Sequence, residues 1–144
     1  MVITFLITYS PLFILIAALG HLICQRDFRA MFVLFFAVAT TFAIVLFIKE
    51  LYLVPRPFLL ANGTPKAGLY NFSSFPSSHA ALSSCVAIFI YLYKKSVGLF
   101  FIFLAVLVSW GRVWAQVHTS LDVAMGAIVG LIVGALIKSL TDST

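Results

Sequence analysis

Eight polar residues in this chain are of the types that carry phosphoryl chemistry, and they fall into three groups. Lys49 stands seven residues before Arg56-Pro57, Pro76-Ser77-Ser78-His79 follows, and Arg112, His118 and Asp122 close the series. Three cations can neutralise the non-bridging oxygens of a phosphate, arginine doing so as a planar two-toothed fork. One histidine can attack phosphorus while a carboxylate holds its ring and tautomer, and the other can protonate the departing oxygen. The four-residue step from His118 to Asp122 puts both side chains on one helical face. Together these groups suffice to cleave a phosphate monoester or anhydride without a metal or other cofactor.

The elements that position them must lie in a membrane. Of 144 residues, 63% are hydrophobic and 9% charged, and the mean hydropathy is +1.17. An average soluble domain has roughly 45–50% and about 25%. A bilayer crossing takes ~20 mostly apolar residues, so at most about six fit and no separate soluble domain remains. The apolar runs predict an all-α integral membrane protein, a single domain over 1–144 built as a bundle of about five transmembrane helices, at 1–24, 30–54, 77–93, 97–114 and 119–140. Pro55 and Pro57 end the second run. The site loop 56–78 carries the turn signals Asn62-Gly63, Pro65 and Gly68. If the second helix runs to Pro55, Lys49 and Arg56 share one of its faces. Two crossings separate the ends of the second and fourth helices, which brings all three polar groups to one membrane face.

The remaining features weigh toward structure. Gly126, Gly130 and Gly134 form a small-xxx-small stripe, read as packing within the bundle in preference to an oligomer contact. Cys24 and Cys85 lack ligand spacing and read as small buried hydrophobes. The net charge of +5 comes from scattered lysines and arginines, which excludes a nucleic-acid partner. The first run has no basic lead and no small-residue cleavage site, so it reads as a retained helix. His21 reads as structural, Glu50 as an interfacial charge or ion partner, and Lys66 as a snorkelling residue. Trp110, Trp114, Tyr52 and Tyr70 fit an interfacial belt. The acceptor patterns Asn62-Gly63-Thr64 and Asn71-Phe72-Ser73 are too common by chance to carry weight. Arg26, Arg29, Lys94, Lys95 and Lys138 fall on one side. Lys49, Arg56, Lys66 and Arg112 fall on the other, and setting three site cations aside there leaves a basic bias that places the first side in the cytoplasm.

Lys49-x6-Arg56-Pro57, Pro76-Ser77-x-His79 and Arg112-x5-His118-x3-Asp122 resemble, in order, the three motifs of the type 2 phosphatidic acid phosphatase family, which shares its site with vanadium haloperoxidases. The resemblance spans Lys49 to Asp122, about half the chain. It implies that His118 is the nucleophile, forming a phosphohistidine, and that Asp122 orients it. His79 would be the general acid and later the base for water. Lys49, Arg56 and Arg112 would bind the phosphoryl group with Ser77 and the backbone N–H of Ser78, which starts a helix. The sequence departs from the family pattern at Ser78, usually Gly, and at Gly111, usually Ser. The expected function is a membrane lipid phosphatase acting on a lipid in the bilayer, such as undecaprenyl pyrophosphate, phosphatidylglycerophosphate, phosphatidate or a lipid A phosphate. Its expected place is a bacterial cytoplasmic (inner) membrane, with the site on the extracytoplasmic face. The alternatives are a lipid phosphotransferase with the same intermediate and a non-catalytic phospholipid transporter, against which the lack of paired repeats counts.

Overall fold

The computed structural model describes residues 2–60 and 73–143. The readings placed on Lys66, Tyr70 and the acceptor patterns at Asn62 and Asn71 lie outside the described residues. Among the described residues, five long helices and one short one follow in order: α1 (Val2–Cys24), α2 (Phe28–Leu51), α3 (Pro57–Leu60), α4 (Ser78–Tyr93), α5 (Lys95–Trp114) and α6 (Ser120–Asp142). The helices α2, α5 and α6 are long and apolar enough to cross a bilayer, while α4 and the Thr8–Cys24 part of α1 are shorter apolar helices. Phe32, Phe36, Phe47, Leu99, Phe103 and Leu140 point outward, as helices facing hydrocarbon require.

The helix α4 sits at the centre, packed against α1, α2, α5 and α6. Its small residues Ala80, Ala81, Ser83, Ser84, Cys85 and Ala87 are buried and let the neighbours approach closely. With 16 residues it is about 24 Å long, short of the ~30 Å hydrocarbon core. At its amino-terminal end, where His79 stands, Ser77, Ala80 and Ala81 are buried among the neighbouring helices.

The glycine stripe of α6 makes the closest of these approaches. A Cβ built on Gly126 would lie 2.4 Å from the carbonyl oxygen of Ser77, on Gly130 2.0 Å from that of Ala81, and on Gly134 2.7 Å from that of Cys85. The stripe is used inside the bundle, against α4. Gly130→Ala is expected to lower the thermal unfolding midpoint in detergent, because overpacking costs about 1–3 kcal/mol and here the obstacle is backbone. Gly20→Ala, at a position with nothing within 4 Å, should leave the midpoint unchanged. Equal midpoints for the two variants would contradict this packing.

Several boundaries differ from those read in the sequence. The second helix starts at Phe28, where the Asp27 side chain accepts from Ala30 N at 2.9 Å. It ends at Leu51 instead of 54. Beyond it the chain is extended at Tyr52, and Pro55 disfavours a helical Val54. The Ser73 hydroxyl donates to the Tyr52 carbonyl at 2.5 Å and accepts from Val54 N at 2.9 Å. Lys49 and Arg56 therefore do not share a face of one helix. The site loop opens with α3, with Pro57 at its first position. The fourth long helix begins two residues early, at Lys95, and the fifth runs from Ser120 to Asp142. Cys24 is exposed, contrary to its reading as buried, because it ends α1 facing outward; Cys85 is buried.

Two helix ends turn on residues with positive φ, Arg26 at 55° and Gln116 at 58°. In the first, Arg26 N donates to Ile23 O and Asp27 N to Leu22 O; in the second, Gln116 N donates to Val113 O and Val117 N to Arg112 O. Both are Schellman turns, whose left-handed position is usually glycine. The second sends Val117 and His118 inward, where both are buried.

The end of the bundle opposite His118 gathers Arg29, whose Nη2 donates to Thr141 O at 2.9 Å, and the Lys138–Asp142 ion pair. The Lys138 ammonium also lies 5.9 Å from the centres of the Phe89 and Tyr93 rings. His21 meets Tyr93 edge-on at 6.3 Å, which places it at this end and far from the other histidines.

Candidate active site

At the other end, the turn after α5 and the first turn of α6 set the core of the site. Thr119 caps α6, its Oγ1 accepting from Asp122 N at 3.1 Å. Reciprocally, Asp122 Oδ2 accepts from Thr119 N at 2.8 Å. This capping box locks the carboxylate where the helix dipole favours negative charge. The Ser77 N–H donates to the Asp122 carbonyl at 2.9 Å and so ties the start of α4 to the same turn.

His118 is 3% exposed and its two ring nitrogens face different partners. Nδ1 lies 3.4 Å from Ser74 Oγ and 3.8 Å from Asp122 Oδ2. Ser74 Oγ donates to Asp122 Oδ2 at 2.5 Å. A hydroxyl has one proton, so with that proton on the carboxylate the Ser74 oxygen can only accept from His118 Nδ1–H. The relay fixes the Nδ1–H tautomer and puts the ring's lone pair on Nε2. Nε2 is 3.4 Å from Arg56 Nη1, which also donates to Val117 O at 3.1 Å.

His118 stands in the turn between α5 and α6, and burial pushes its imidazole down to about 4. The Asp122 contact opposes that shift, while the charges of Arg112, Arg56 and Lys49 add to it. The ring is neutral at pH 7, the state that a nucleophile requires.

The remaining predicted residues line the same end. Lys49 is buried and its Nζ donates to Ser73 O at 2.6 Å. Arg112 is buried at 3%, and its charge acts on both His79 and His118. His79 Nε2 is 2.9 Å from Thr8 O. Ser77 is fully buried and caps α4, and Ser78 is the first helical residue. Glu50 is exposed. Trp110, Trp114 and Tyr52 are exposed near this end, as a belt requires. Among the described residues, no cluster of three His, Cys, Asp or Glu side chains is placed to hold a metal.

Ser74 was not among the residues expected from the sequence. Its signal was weak, one hydroxyl in a Ser-Ser pair two residues before Pro76, and only the folded loop brings it to Asp122. The structure also opens an apolar cavity of ≈ 290 Å³ beside His79, bordered by Leu12, Leu15, Phe42 and Leu82.

A family model described as the PAP2 superfamily matches residues 30–143. No curated protein matches the sequence. The fold is similar to the crystal structure of LpxE from Aquifex aeolicus, with a TM-score of 0.76 and 26% identity over 94% of this chain and 80% of that one. It is also similar to a transmembrane PAP2-type phosphatidylglycerolphosphate phosphatase from Bacillus subtilis, with a TM-score of 0.73 and 25% identity over 98% of this chain and 74% of that one.

Proposed function

The chain belongs to the PAP2 superfamily and is a membrane lipid phosphatase, and we propose that it works through a phosphohistidine on His118. The observation that carries this reading is the ring's two-sided environment: Nδ1 faces Ser74 and Asp122, Nε2 faces Arg56. In the first step the Nε2 lone pair bonds to phosphorus, and the ester or anhydride P–O bond breaks with its electron pair on the leaving oxygen. His79 supplies the proton to that oxygen. In the second, water attacks phosphorus, His79 takes its proton, and the P–N pair returns to His118. Lys49, Arg56 and Arg112 neutralise the phosphoryl oxygens, with Ser77 and the Ser78 N–H at the start of α4.

The substrate is a phosphate or pyrophosphate lipid that enters sideways from the bilayer. Undecaprenyl pyrophosphate, phosphatidylglycerophosphate, phosphatidate and lipid A phosphates are the candidates. The apolar cavity next to His79 supports this route, because it brings hydrocarbon to the leaving-group side. The test is phosphate release by protein in detergent from a panel of these lipids with EDTA present. Release from at least one is expected, and none from any would end this reading. The site is placed on the extracytoplasmic face of a bacterial inner membrane. A cysteine introduced in the 56–78 loop, away from the site residues, should then react with an impermeant thiol reagent in intact cells, and reaction only after lysis would reverse the orientation.

The His118 environment also sets a pH dependence. Its nucleophilic form is the neutral one, so kcat/KM should hold below the ordinary histidine range and fall only as pH approaches about 4. An acid limb centred at an ordinary histidine value near 6.5 would contradict the neutral, buried ring.

A further inference from the structure

The helix α1 lies wholly outside the segment matched by the family model, residues 30–143, yet it reaches into the site. The main-chain carbonyl of Thr8 is 2.9 Å from His79 Nε2. In a regular helix a carbonyl is directed at the N–H four residues on. Three residues after Thr8 stands Pro11, the proline within α1, which has no N–H for the neighbouring Ile7 carbonyl and whose ring crowds that carbonyl, loosening the turn that holds Thr8. The Thr8 oxygen has two lone pairs, so it can accept from outside the helix as well as from Leu12 N–H. Thr8, Pro11 and His79 border the same apolar cavity, so the contact lies on the side from which a lipid would approach.

We propose that α1 is a positioning element for proton transfer: the turn opened by Pro11 presents the Thr8 carbonyl to His79 Nε2, leaving Nδ1 as the nitrogen that exchanges a proton with the leaving oxygen. A carbonyl only accepts, so Nε2 must carry hydrogen in both charge states of the ring. Nδ1 first takes the proton of the substrate's phosphate monoanion; in the first step that Nδ1–H bond breaks as an O–H bond forms on the leaving oxygen, which departs with the P–O pair. The ring becomes neutral, with Nε2–H still held by Thr8. In the second step Nδ1 takes a proton from the water whose oxygen bonds to phosphorus. This assignment rests on the reading of His79 as the general acid.

The test compares an alkyl lipid phosphate, whose leaving group needs a proton, with p-nitrophenyl phosphate, whose leaving group does not. Pro11→Ala is expected to lower kcat on the lipid by about tenfold and on the aryl ester by less than about threefold, a fraction of what a general acid contributes. His79→Ala should lower both and the lipid further. If Pro11→Ala slows both substrates equally or neither, the positioning role is overturned while the acid role of His79 stands. If His79→Ala shows no difference between the substrates, the acid role itself fails. Should Pro11→Ala not fold, nitrogen NMR of ring-labelled histidine in the wild-type protein decides. A neutral His79 protonated on Nε2 is expected, and one protonated on Nδ1 overturns the proposal.

Discussion

Replacing His118 with alanine is expected to lower phosphate release from a lipid substrate by on the order of 10⁴-fold, the scale of losing a nucleophile that acts as one unit with its partners. The residual rate would come from the cations, which still bind and polarise the phosphoryl group without an atom to receive it. The fold should survive, because the elements around position 118 are held by backbone. Arg56 bonds the Val117 carbonyl, and the Gln116 turn and the Thr119 cap use no atom of the imidazole. An unchanged unfolding midpoint together with the lost activity separates chemistry from stability. A variant that keeps a tenth or more of the activity would remove His118 from the reaction.

Asp122→Asn is expected to cost on the order of 10³-fold in kcat, because an amide in place of a carboxylate stabilises the wrong histidine tautomer. The wild-type carboxylate accepts from both Thr119 N and Ser74 Oγ. Both bonds fall on Oδ2, so in the rotamer that puts the amide nitrogen there the Thr119 N–H is lost and the NH₂ faces the Ser74 oxygen. Ser74 must then turn its proton toward His118 Nδ1. With Nδ1 accepting, the ring proton moves to Nε2 and blocks the attacking lone pair. In the other rotamer both bonds persist and the loss is that of the negative charge 3.8 Å from Nδ1. Since the tautomer change passes through Ser74, Ser74→Ala combined with Asp122→Asn should be little worse than Asp122→Asn alone. Purely additive losses would mean that the two residues act independently.

Much of this architecture is legible in the sequence because charge in a bilayer is conspicuous. Lys49, Arg56, Arg112 and Asp122 stand out against long apolar runs, and those runs set the number of long helices. What was not legible depends on partners remote in the chain. The second helix stops at Leu51 because Ser73, about twenty residues on, holds the backbone of Tyr52 and Val54. Its apolar residues continue past that point, so hydropathy extends the helix too far. Ser74 escaped notice because a hydroxyl costs little anywhere and reveals its use only beside Asp122. The turns at Arg26 and Gln116 carry no glycine to announce them. The Thr8 carbonyl, being backbone, has no signature in the sequence at all.

The central claim is a covalent bond between phosphorus and His118, and rapid quenching tests it most directly. The protein is mixed with a lipid bearing radioactive phosphate, stopped in alkali at short times and digested. The account predicts alkali-stable, acid-labile label on the peptide that carries His118, appearing before steady-state release and absent from His118→Ala. Steady turnover with no labelled protein at any time, or label on another residue, would contradict it.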